Sequence, residues 1–302
     1  MTMRPMSMKR IFTSVVSNVR RLRYHYQNKF YFYCLIPKIA NLQNSKHKLY
    51  FAGVLFRWST KTIDVQSENE DNRTRKLLEN ADNLFENGHY DECYQLLVND
   101  ENHTDVEIQW RICRVLYNMS KDSKCDVNVK KELIYRAYQI ISDQLIDNCN
   151  NYAVQKWYSL LLDAKSSYDG IKERIKQLEN VKKHMDLAVT LNPNDATTLY
   201  MLGEWCYQVT ELPWHQRKIA EALFATPPNS TYEDALEYYL RAEAAQPRFY
   251  SLNLLRLGHC YLKLNKEDQA KYYLKLAASY PAKSNDDHLA NKEAAELLKK
   301  LR

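Results

Sequence analysis

The stretch from Leu257 to Pro281 reads LGHCYLKLNKEDQAKYYLKLAASYP. Leu257-Gly258 open it, Tyr261 follows three residues after the glycine, and Asn265 falls where a turn belongs. Ala270 and Ala277 then lie seven apart with Leu274 between them, and Pro281 closes the unit. This is the tetratricopeptide pattern, a helix–turn–helix unit of about 34 residues. The spacing has a steric cause. Two antiparallel helices touch closely only where side chains are small, so Gly258, Ala270 and Ala277 mark the approach points. Tyr261 and Leu274 fill the space between, and Pro281 cannot continue the helix.

Degenerate copies of the same frame precede it. Leu202-Gly203 repeats the opening, with Cys206 one turn on, and Ala235, Tyr239, Ala242 and Pro247 follow at nearly the spacing of Ala270, Leu274, Ala277 and Pro281. Trp157 and Leu160 begin a unit that ends at Ala188 and Pro193. Trp110 and Cys113 begin one that pairs with Ala137 and Ile141, and Ala81, Leu84, Gly88, Tyr90, Cys93 and Leu97 outline the first. The fold class expected is all-α: a tetratricopeptide-like α-solenoid of about five helical hairpins with insertions, each burying its apolar face against its neighbours.

The insertions form a second signature. Gly170 opens a long helix whose apolar residues Ile171, Ile175, Leu178, Val181, Met185 and Ala188 step by three and four, a buried stripe. Pro213 marks a break, residues 214–224 a short extra helix, and Pro227-Pro228 an extended link. Ser230 or Thr231 caps the next helix, with Glu233 and Asp234 in its first turn. Asp286-Asp287 are expected to cap a final helix over 290–301.

Only five of 302 residues are glycine and no alternating strand pattern occurs, so the chain lacks the material for a β-rich fold or a phosphate-cradling loop. None of the Walker, dinucleotide, zincin or serine-hydrolase motifs is present, and the eight histidines lack metal-ligand spacing. A Cys206–His215 thiol–imidazole pair is the one enzyme-like combination, and nine residues of separation give it little support. No catalytic residue, metal or cofactor is expected. The seven cysteines are scattered without a C-x-x-C pair, which reads as reduced, buried thiols of a cytosolic or organellar interior.

Residues 1–62 differ sharply. Asp64 is the first acidic residue, and twelve lysines and arginines precede it. Removing these twelve from the 43 basic residues leaves 31 against 37 acidic, so the repeat region is net negative and the leader carries the positive charge. Ile11, Val15, Val19 and Leu22 share one helical face flanked by Arg10, Arg20, Arg21 and Arg23, as in a mitochondrial transit peptide. A retained basic arm and an extension without a role are the competing readings. The domain organisation is thus a basic, acid-free leader (1–62), a linker (63–72) and the helical repeat domain (73–302). An acidic repeat domain without a basic–aromatic motif argues against nucleic acid as a partner.

Several segments also resemble a known family, the regulator of microtubule dynamics proteins. The likeness rests on Asp169-Gly170-Ile171-Lys172, Leu191-Asn192-Pro193, Gly203 with Trp205-Cys206-Tyr207, and above all Pro213-Trp214 through Ala225-Thr226-Pro227-Pro228 to Thr231-Tyr232-Glu233. Ala242-Glu243, Phe249-Tyr250-Ser251 and Tyr280-Pro281-Ala282 continue it, so that it covers residues 75–300. The resemblance implies a non-enzymatic protein of microtubules and spindle poles that helps chromosome segregation; a mitochondrial tether or lipid-handling adaptor, delivered by the leader through import machinery or a membrane surface, is the alternative. Groove-facing phases on the first helices place Arg111, Tyr158, Tyr200, Tyr207, His259 and Lys263 toward a partner. Tubulin is acidic, so Arg111 and Lys263 are expected to pair with its carboxylates.

Overall fold

The computed structural model describes residues 71–301, and the leader and most of the linker lie outside that range. The described residues form twelve helices and no strand. The chain is helical from residue 71 to 86 (α1), followed by Tyr90–Val98 (α2), Val106–Met119 (α3), Val127–Asp147 (α4), Tyr152–Asp169 (α5) and Ile171–Leu191 (α6). Ala196–Thr210 (α7), Trp214–Leu223 (α8), Tyr232–Ala245 (α9), Ser251–Lys263 (α10), Glu267–Ala278 (α11) and Asn285–Lys300 (α12) complete it. Five hairpins result: α1/α2, α3/α4, α5/α6, α7/α9 and α10/α11. The short α8 is inserted into the fourth and packs on α6, while α12 closes the stack against α10 and α11. No described helix is long and apolar enough to cross a membrane.

Local sequence sets the helix ends. Asp105, Asp126, Asn151 and Asp195 each accept a backbone N–H of the helix they open, which satisfies donors that have no partner inside the helix. Thr231 and Ser284 form full capping boxes with Asp234 and Asp287. The last helix therefore begins five residues before the expected one. Ser284 is its cap, and Asp287 sits in the first turn as the reciprocal acceptor. Gly170, at φ 108°, is the single residue between α5 and α6; only glycine tolerates that backbone without strain. The first and last hairpins end their leading helix in the same left-handed turn. At Gly88 (φ 77°) the next amide reaches back to Leu84, and at Asn265 (φ 57°) it reaches back to Tyr261.

The expected close approaches are present and equivalent. A methyl group added at Gly203 would lie 2.5 Å from the Tyr239 ring, and one at Gly258 would lie 2.6 Å from Leu274. Tyr239 and Leu274 hold the same frame position and are fully buried, as are Ala235, Ala242, Ala270 and Ala277. Tyr261 does not fill that gap; it stacks on Tyr273 at the side of the hairpin, 5.6 Å between centroids. The stripe of α6 is buried at Ile175, Val181, Met185 and Ala188, but Ile171, the first residue after the Gly170 turn, is 49% exposed.

Two buried thiols reinforce the early hairpins: Cys93 donates to the Ala81 carbonyl and Cys113 to that of Ala137. Cys206 and Cys260 are buried too, whereas Cys149 is exposed in the α4–α5 connection, so burial is not common to all the cysteines. Cys34 lies outside the described residues.

Overpacking a tight core contact costs about 1–3 kcal/mol. Gly203→Ala and Gly258→Ala should therefore each lower the thermal midpoint by several degrees in a calorimetric scan, while Gly88→Ala, where no atom lies within 4 Å of the added methyl, should cost only its left-handed backbone strain.

Candidate functional site

The leading helices of successive hairpins, α3, α5, α7 and α10, and then α12, stand side by side and form the inner face. Ion pairs join them like rungs. Arg111 on α3 holds Asp82 on α1 at 2.9 Å, and Arg114 shares the same carboxylate. Lys156 on α5 pairs with Asp195, the cap of α7, at 3.0 Å. Arg256 and Lys263 on α10 pair with Glu204 of α7 and with Glu211 at its C-terminal cap, both at 2.6 Å. Two long charged side chains held between two helices limit how those helices rotate past each other.

Glu204 is the hub. One of its oxygens accepts both the Arg256 Nε–H, at 2.6 Å, and the Tyr239 hydroxyl, at 2.7 Å. Arg256 lies over the Tyr207 ring, 4.8 Å from its centroid. Tyr200 meets Tyr239 and stands edge-on to Tyr250 at 5.1 Å. Burial pushes the Tyr200 and Tyr239 hydroxyls well above the ordinary tyrosine range, with Glu204 adding to it, so both stay neutral donors. At the end of α7, Glu211 accepts from Lys263 and from the Tyr232 hydroxyl, and these bonds hold its carboxyl below the usual range.

The six residues expected on the groove do lie on the leading helices, but not as free contacts. Arg111 is 11% exposed and is occupied by Asp82 and Glu107; burial opposes its charge, and these two acids more than offset that. Lys263 is occupied by Glu211. Each cation already has a carboxylate at hydrogen-bond distance, so a partner's carboxylate would have to displace it. His259 packs against Tyr207 and lies 3.1 Å from a Glu293 carboxylate oxygen of α12, without the alignment of a hydrogen bond. Tyr158 is half-buried between Tyr138 and His184, so it belongs to the seam of α4, α5 and α6. Tyr200 and Tyr207 join the Glu204 cluster. Cys206 is buried, while His215 stands exposed against Trp214 at the start of α8, so the thiol and the imidazole occupy different environments.

Glu204, Arg256 and Tyr250 were not among the expected residues. Glu204 follows Gly203 as His259 follows Gly258, so the phase that singled out the histidine also marked the glutamate. A separate open cleft of about 490 Å³ lies beside α6, between Lys182, Lys183 and Leu187, Trp205, and the Pro228-Asn229 link. No group of three or more metal-ligating side chains occurs among the described residues.

These features define a class, a helical-repeat solenoid of the tetratricopeptide type. A tetratricopeptide protein from Thermus thermophilus shares this fold at a TM-score of 0.53 and 15% identity, over 74% of this chain and 98% of its own. The sequence profile of regulator of microtubule dynamics proteins 1–3 matches residues 77–302. Regulator of microtubule dynamics protein 1 of Pongo abelii is 42% identical over 226 residues, 75% of this chain and 72% of that one. The mouse protein 1 is 41% identical, over 75% and 74% of the two chains. Mouse protein 3 is 32% identical, over 78% of this chain and 50% of its own. The chain belongs to the regulator of microtubule dynamics family.

Removing the charge of Glu204 leaves Arg256 part-buried and the Tyr239 hydroxyl with a weaker acceptor. Glu204→Gln is expected to cost about 1–3 kcal/mol, read as a lower urea midpoint at unchanged slope. Acid should act on two histidines. Burial depresses both His184 and His259, aided by Lys183 at the first and Arg256 at the second. A folded-state value below the unfolded value of about 6.5 means that their contribution is complete above that pH and is lost as pH falls through it. Thermal midpoints should therefore drop from pH 7 to pH 5, and the His184→Gln/His259→Gln double variant should flatten that slope.

Proposed function

We propose that this chain associates with microtubules through a partner segment lying on the inner face of the solenoid. The family membership supports the microtubule reading, and the single observation that carries the choice of face is the cluster of aromatic and ion-paired side chains across α7 and α10. Tyr200, Tyr207 and His259 supply rings with polar edges, suited to a backbone and to apolar side chains at once. Tyr158 extends the aromatic surface toward α4. Arg111 and Lys263 contribute by exchange: a partner carboxylate takes over part of the coordination now supplied by Asp82 and Glu211. This makes the charged contribution modest and salt-sensitive, because each new pair replaces an existing one. The work is one of binding and positioning, without chemistry, at the cytoskeleton and the spindle poles in support of chromosome segregation.

A second reading rests on the leader. Its twelve basic residues and lack of acids before Asp64 favour delivery to mitochondria, where the same solenoid would serve as an adaptor, tether or lipid-handling module.

Co-sedimentation with polymerised tubulin tests the first reading. The full chain should pellet with polymer at low salt, and Tyr207→Ala should weaken that several-fold; failure of the full chain to pellet would sink it. Deleting residues 1–62 should leave pelleting intact, and in cells the same deletion should abolish mitochondrial delivery if the second reading holds.

A further inference from the structure

The end of α3 meets the start of α12, although eight helices lie between them in the chain. Lys121, just beyond α3, places its ammonium 3.9 Å from an Asp286 carboxylate oxygen and over the Tyr117 ring, 4.8 Å from its centroid. The Tyr250 hydroxyl donates to the same Asp286 oxygen at 3.4 Å. Tyr117 in turn packs edge-on against Trp157 of α5, whose buried indole N–H has no hydrogen-bond acceptor. Tyr250 is buried strongly enough that its hydroxyl is pushed up, with Asp286 and Tyr117 both contributing. An aromatic wall, a carboxylate and an oriented hydroxyl thus converge on one point where α3 ends and α12 begins, and the chain's own lysine fills it.

A carboxylate beside aromatic faces is the environment that recognises an ammonium group. Lys121 is 46% exposed and Asp286 41% exposed, so the pair is solvated and exchangeable rather than locked. Asp286 is also free of capping duty, since Asp287 closes the box with Ser284. We infer that this is a lysine-accepting site, held at rest by Lys121 as an internal stand-in, and that a basic segment of a partner protein binds there by displacing it. This goes beyond the microtubule reading and is independent of it.

The probe is a labelled decalysine peptide titrated against the full chain in low salt, with anisotropy as the readout. Lys121→Ala should tighten binding about fivefold, the worth of one cation contact of about 1 kcal/mol. Adding Asp286→Asn should remove that gain. Lys172→Ala and Asp268→Asn make the same charge changes at exposed positions on α6 and α11, outside the Lys121–Asp286 pair, and should leave binding within twofold of the parent. Equal affinity for wild type and Lys121→Ala overturns the inference. So does a gain that Lys172→Ala reproduces, or one that survives loss of Asp286. A chain that fails to pellet with microtubules yet shows the expected pattern supports it, which separates the two outcomes.

Discussion

Everything in this molecule depends on how closely the two helices of each hairpin approach. In the fourth and fifth hairpins there is no space for a methyl group between Gly203 and Tyr239, or between Gly258 and Leu274. That approach buries Ala235, Ala242, Ala270 and Ala277 completely and fixes how far α7 and α10 stand from their trailing partners. The inner face is a consequence of this. Its ion pairs are possible because neighbouring leading helices stand at a distance that one arginine and one glutamate can span. A larger residue at either glycine would push the hairpin open and draw Glu204 and Arg256 apart.

The inner face is polar, yet its charges are mutually satisfied. Arg111, Lys156, Arg256 and Lys263 each have a carboxylate on a neighbouring element. Such an array favours specificity over affinity, because any new charge pair must replace an old one. Tyr200, Tyr207 and Tyr250 are part-buried, keep neutral hydroxyls and present both apolar area and hydrogen-bonding edges, whereas Tyr239 is wholly buried beneath them.

Much of the fold was legible because it rests on short-range spacing. The Gly–Ala–Ala frame, the Pro213 break, the Gly170 junction and the Thr231 cap all act within one or two helical turns. The last helix began earlier than expected because Ser284 with Asp287 makes a better reciprocal cap than Asp286-Asp287, and a capping box is local chemistry that could have been weighed. The site was legible only as a phase. Helical periodicity placed Arg111 and Lys263 on the leading helices but said nothing of Asp82, 29 residues away, or Glu211, 52 away. A contact between residues so far apart in sequence depends on how hairpins stack, which no single helix encodes. Lys121 and Asp286 are the extreme case, brought together only by the way the intervening helices stack.

The central claim is that a partner lies along the leading helices, and hydrogen–deuterium exchange of the full chain with and without polymerised tubulin tests it most directly. Slowed exchange concentrated in α5, α7 and α10 is the predicted result. Protection confined to the trailing helices α4, α6, α9 and α11, or no protection at all under conditions where the chain pellets, would contradict it.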